Sequence, residues 1–179
     1  VFSVREHRTT MLRAKDLVVL LKLVALNDQP WTYRELASAL GMSVSSVHSA
    51  LQQAADSHLY HKQERRPALR NLNEVLVHGV RYVYPVATGS VTRGIPTAHG
   101  ASPLIEELRS SDLPPVWPTA EGDTRGYALE PLHPSVPEAV RQDPALHELL
   151  ALVDALRIGR AREQNRAAEL LSDRFGIRL

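Results

Sequence analysis

The chain has no cysteine in its 179 residues, so neither disulfides nor thiolate metal sites are available to it. No apolar run approaches the roughly 18 residues that a membrane-crossing helix needs. The richest stretch, DLVVLLKLVAL at 16–26, is too short and carries Lys22. No secretory leader is visible, and no phosphate-binding glycine loop, nucleophile elbow or HExxH helix is present. These absences predict a soluble, cytoplasmic protein that spans no membrane, holds no cofactor and is not an enzyme. Lysine is scarce, three against 18 arginines, a bias that carries no functional weight. The formal net charge of +1 does not by itself announce a nucleic-acid partner, so the placement of charge matters more.

The most informative stretch is Trp31 to Leu59, WTYRELASALGMSVSSVHSALQQAADSHL. Two short helices that cross steeply need small or apolar side chains at a few fixed places. Counted from Tyr33, Leu36 and Leu40 fall on the buried face of a first helix, and Ala37 falls where the helices come closest. Gly41 is in the turn, where a left-handed backbone is wanted and glycine adopts it without steric penalty. Met42 points inward, and Ser43 can cap the second helix by accepting a hydrogen bond from an early backbone N–H. Val47 with Ala50 or Leu51 completes the buried face. The pattern predicts a helix-turn-helix, with a core-facing helix over 15–26 behind it and a Thr32/Glu35 capping box at the entry.

Ser43, Val44, Ser45, Ser46, His48, Ser49, Gln52 and Gln53 then face outward on a helix that fits a major groove. Short hydroxylated side chains allow close approach to phosphates or base edges, a small apolar group can touch a thymine methyl, and glutamine suits adenine. Lys62, Arg65, Arg66, Arg70 and Arg81 crowd the segment just after this helix, where contacts to a DNA backbone are expected. Arg157, Arg160, Arg162 and Arg166 form a second basic cluster, as consistent with a solvated helix face as with DNA.

Residues 1–13 read as an N-terminal arm, and 14–86 as the DNA-binding domain. After Leu59, YHKQERRP is a short strand or irregular wing. Pro67 then starts a helix, PALRNLNEVLVHG, that Gly79 stops with His78 at its C-terminal end, and RYVYPV alternates as a strand. The character changes at 87–143: ten of the twelve prolines and five of the nine glycines lie between Pro85 and Pro144. Tyr84, Leu104, Leu108, Trp117, Tyr127 and Leu129 give this region more to bury than a linker carries. It reads as a loop-rich module, with PVWPTAEGDTRGYALEPL as a hairpin turning at Glu121-Gly122-Asp123. Residues 144–179 form a helix pair that either closes its own core or makes a dimer interface. The fold class expected is mainly α (α+β): a winged helix-turn-helix, a loop-rich segment with short strands, and C-terminal helices.

Metal binding has little support. His58 and His61 are three apart and His48 ten before the first, yet His48 belongs to the outward face and the pair lacks a nearby carboxylate. His99, His133 and His147 are too scattered to form a motif. Asp154 with Arg157 and Arg160 has the spacing of an intrahelical ion pair.

The stretches HGVRYVYP (78–85), TRGIPTAHG (92–100), VWP…GDTRGYALEPL (116–132) and LLALVDALRIGRARE (149–163) together resemble a family of bacterial winged-helix proteins described as MarR-like transcriptional regulators. The resemblance implies an autorepressor or an antitoxin, since some members pair with nucleotidyltransferase-type toxins, and the main reading is a sequence-specific repressor that binds double-stranded DNA as a homodimer. The usual wing follows the recognition helix directly, whereas a helix at 67–78 intervenes here. On this reading the wing is displaced to the loop after Val86, where Thr88 to Gly100 carries Arg93 and His99 and suits lying on DNA, binding a ligand or simply packing, with Gly94 and Pro96 explained equally well by turn geometry. The alternative is an antitoxin-like interaction protein whose winged helix and proline-rich middle dock a partner protein.

Overall fold

The computed structural model describes residues 11–108 and 112–177, so residues 1–10 of the expected arm lie outside it. The chain is mixed helix and sheet, with helix predominant. Helix α1 (Ala14–Leu26) buries Leu17, Val18, Val19, Leu20 and Leu21 completely. It ends at Asn27, whose left-handed backbone lets its N–H return to Val24 O at 3.0 Å. Helix α2 (Tyr33–Leu40) opens with the Thr32/Glu35 capping box, and helix α3 (Val44–Asp56) follows after a three-residue turn. A small antiparallel hairpin comes directly after α3, formed by β1 (Tyr60–His61) and β2 (Arg66–Pro67) with Tyr60 opposite Pro67. The Thr88–Gly100 segment is thus not a displaced wing. Its residues Val91–Pro96 are a strand in a separate sheet, whereas four residues suffice to turn the chain between β1 and β2.

The next helical stretch is longer than the sequence suggests. It comprises α4 (Leu69–Glu74), a π-helical segment (Val75–Gly79) and α5 (Val80–Val83). Gly79 does not stop it, and RYVYPV is not a strand. Leu72, Leu76 and Val80 recur every four residues and are all fully buried, so packing holds this stretch helical despite its β-branched residues. His78 accordingly lies within this helical stretch, exposed near Glu74 at 3.7 Å, and not at its C-terminal end.

The proline-rich region is ordered around β3 (Val91–Pro96), β4 (Pro115–Pro118) and β5 (Thr124–Ala128), with short helical pieces at Ala98–Gly100 and at α6 (Leu104–Glu107). The expected hairpin is absent: β4 and β5 run parallel, and each pairs antiparallel with β3, so the three strands close on themselves. Closure needs backbone contact that a side chain would forbid. A Cβ on Gly122 would lie 2.3 Å from the carbonyl carbon of Gly94, and one on Gly94 would lie 2.1 Å from Trp117 O. Gly94 and Pro96 therefore serve strand packing and not a turn.

Helices α7 (Val136–Ala139), α8 (Pro144–Ile158) and α9 (Ala161–Arg174) complete the chain. α8 is the centre of the core, burying Leu146, Leu149, Leu150, Leu152, Val153 and Leu156 against α1, α5, α9 and the Ala98–Gly100 turn. Each fully buried leucine contributes about 1.5–3 kcal/mol. α8 thus closes its own core and has no apolar stripe left for a dimer partner. One contiguous core joins α1–α3, α8, Trp117 and Phe175, so the expected segments 14–86, 87–143 and 144–179 share it.

A polar network crosses this core. Trp117 Nε1 and Thr97 Oγ1 donate to Asp154 Oδ2 at 2.7 and 2.8 Å, and Arg157 Nη1 donates to Oδ1 at 2.8 Å. Burial pushes the Asp154 carboxyl up from the ordinary carboxylate range, while the Arg157 guanidinium and the two neutral donors pull it down. Arg157 also donates to the carbonyls of Tyr84 and Glu130. Arg166 pairs with Glu107 and Glu169, so two of the four arginines in the second basic cluster are held by carboxylates of the fold.

Candidate nucleic-acid interface

The α2–α3 unit is built as its spacing requires. Leu36, Ala37 and Leu40 of α2 and Val47, Ala50, Leu51 and Ala54 of α3 are buried. Gly41 has φ +60°, and Met42 N returns to Ala37 O at 2.9 Å, closing α2. Ser43 Oγ accepts from Ser46 N at 3.1 Å, capping α3. Helix α7 packs against α2 on the far side of this turn, where Ser135, the residue before α7, stands next to Gly41. A largely buried ion pair, Lys22 to Asp143 at 2.6 Å, fastens α1 to the N-terminus of α8, where Asp143 also caps Leu146 N.

Val44, Ser45, His48, Ser49 and Gln52 form an exposed stripe on α3, Ser43 is exposed at its start, and Ser46 is half-buried at its edge. Gln53 is a correction: it is buried, since position 53 lies on the turn that carries Ala50 and Ala54 inward. Three cations from two segments, the start of α1 and the β1–β2 turn, converge on the stripe. Arg13 Nη2 donates to Ser49 Oγ at 2.9 Å, Lys15 Nζ to Ser46 Oγ at 2.9 Å and Lys62 Nζ to Gln52 Oε1 at 2.6 Å. Arg13 and Lys15 escaped sequence reasoning because they lie some thirty residues before α3, at a helix start with no motif of its own. Gln52 also donates to Asp56 at 2.7 Å, so its amide is held at both ends.

An aromatic ladder flanks the same face. The Arg65 guanidinium lies 4.2 Å from the Trp31 ring centre and donates to Trp31 O, Trp31 meets Tyr33 edge-on, and Tyr33 stacks on His48 at 3.6 Å. Arg65 and His48, 17 positions apart, are thereby joined through two rings. Arg66 is ion-paired with Glu64, and Arg70 is exposed at the start of α4. Arg93 does not join the face through the expected loop; it is on β3, directly opposite Arg125 of β5.

Chemically, the face offers short donors, one small apolar side chain and several cations, with no acid on α3 before Asp56. Among the described residues, no three His, Asp or Glu side chains converge as metal ligands would, and no helix is long and apolar enough to cross a membrane. Comparison with known proteins yields no relative: no family model matches the chain, and neither a curated protein nor a solved structure is similar to it.

Proposed function

We propose that the chain is a sequence-specific DNA-binding regulator, a repressor of its own upstream DNA, in which α3 reads the major groove. On this reading the unit from α1 to β2 is a winged helix-turn-helix of the MarR-like kind with a wing reduced to residues 60–67. The observation that carries it is the convergence of Arg13, Lys15 and Lys62 on the exposed hydroxyl and amide groups of α3. Arg13 also pairs with Asp16 at 3.6 Å, whereas Lys15 and Lys62 touch only neutral side chains here and keep their charge available to phosphates. Ser45, His48 and Ser49 then face base edges, Val44 faces a thymine methyl, and Arg65 is held by Trp31 at the flank. A dimer that sets two α3 helices about 34 Å apart on a pseudo-palindrome follows from the same reading.

The test is binding of the purified protein to its upstream DNA and to a scrambled duplex of equal length across a salt series. A preference for the upstream duplex that survives near 150 mM salt is expected. Lys15→Ala and Lys62→Ala should each lower the salt slope by about 0.9 on both duplexes. Ser45→Ala should cost roughly 1–3 kcal/mol on the specific duplex alone. Weak binding that disappears equally on both duplexes would defeat the proposal.

A further inference from the structure

The outward side of β3 and β5 carries four exposed side chains in two cross-strand pairs, Val91 opposite Tyr127 and Arg93 opposite Arg125. Like charges directly opposite on antiparallel strands destabilise a sheet. The register cannot slip to relieve them, because a Cβ on Gly126, the inward neighbour of both Arg125 and Tyr127, would meet Pro114 O at 2.1 Å. Neither guanidinium forms an ion pair or hydrogen bond among the described residues. Of the acids closest in sequence, Glu121 pairs with Arg141, while Asp123 accepts from its neighbour Thr124 Oγ1 at 3.0 Å and pairs with neither arginine. The Tyr127 side chain beside the two arginines is 42% exposed.

Two cations held side by side without an ion pair attract an anion, and an exposed ring next to them offers a face for stacking. A single nucleic-acid strand suits both, since its phosphates meet the cations and its unpaired bases stack on the ring. A duplex keeps its base faces covered, and an acidic peptide leaves the ring unused. We infer that the outward face of β3 and β5, centred on Arg93, Arg125 and Tyr127, binds single-stranded nucleic acid. This surface is separate from α3 and stands whether or not the DNA-binding proposal above holds.

The experiment measures anisotropy of a fluorescein-labelled oligothymidylate with the full chain at low salt. Tyr127→Ala should weaken binding about 5- to 160-fold, the range of one lost base stack. The double variant Arg93→Ser/Arg125→Ser should weaken it at least tenfold and flatten its salt dependence. Arg93→Ser alone should raise the melting temperature by about 1–4 °C as the repulsion is relieved, which separates lost binding from lost folding. Absence of oligothymidylate binding, or binding that survives in the double variant, would overturn the inference. So would equal displacement of the probe by duplex DNA or polyglutamate, or a lower melting temperature for Arg93→Ser.

Discussion

Replacing Asp154 with asparagine tests the core network where it is most exposed to failure. The substitution keeps the shape of the side chain, and the amide oxygen can still accept from Trp117 and Thr97, which share one carboxylate oxygen. The amide NH2 then faces the Arg157 guanidinium, donor against donor. Arg157 has only carbonyl oxygens as its other described partners, and its side chain is 5% exposed, so its charge is left without a carboxylate. Breaking one side of a buried ion pair costs about 3–5 kcal/mol, against a total stability of about 5–15 kcal/mol for a domain. At roughly 2–4 °C per kcal/mol for a chain of this size, the melting temperature should fall by about 6–20 °C. Urea titration followed by far-UV circular dichroism and by tryptophan fluorescence measures the loss. The double variant Asp154→Asn/Arg157→Met removes both charges and should recover more than about 2 kcal/mol relative to the sum of the singles. A loss below about 1 kcal/mol for Asp154→Asn, or strictly additive single variants, would refute the argument.

Two further tests use the titrating groups around α1. Asp16 is fully buried, and burial pushes its carboxyl up from the ordinary range; its contribution is fully present below the unfolded value of about 4 and declines as pH rises through the folded one. Asp16→Asn should remove that decline in a pH series of urea midpoints, and an unchanged profile would count against it. Tyr84 is pushed up to about 12, first by burial and then by Asp16, and donates to Leu12 O at 2.6 Å. The stability it contributes is complete below about pH 10 and lost as pH rises through the folded value; Tyr84→Phe should cost about 1 kcal/mol at neutral pH and flatten this alkaline limb. Gly122→Ala should destabilise by at least the 1–3 kcal/mol typical of overpacking, since the atom it strikes is backbone. A melting temperature equal to that of the unaltered chain would show that the strands can move apart.

Where local rules dictate structure, the sequence was sufficient. The α2–α3 turn was legible because Ala37, Gly41, Ser43 and Val47 each answer a local requirement at short spacing, and the bounds of α8 follow from the Asp143 cap, Pro144 and an unbroken apolar pattern. Local pattern failed where distant packing decided. RYVYPV alternates like a strand, yet Val80 continues the buried face of Leu72 and Leu76, so its first three residues are helical. PVWP and TRGYA promised a hairpin, but β3, some twenty to thirty residues earlier, inserts itself as the antiparallel partner of both.

The same division runs through the candidate surfaces. Sequence periodicity alone selected the outward side chains of α3 from Ser43 to Gln52, because a helix of known phase fixes which positions face away from its buried ones. Only the tertiary structure brought Arg13 and Lys15 beside Ser49 and Ser46 and set Arg93 against Arg125. Those pairings join residues 31 to 36 positions apart, or rest on strand register. No spacing rule along the chain can encode them, because they are fixed by how whole elements pack.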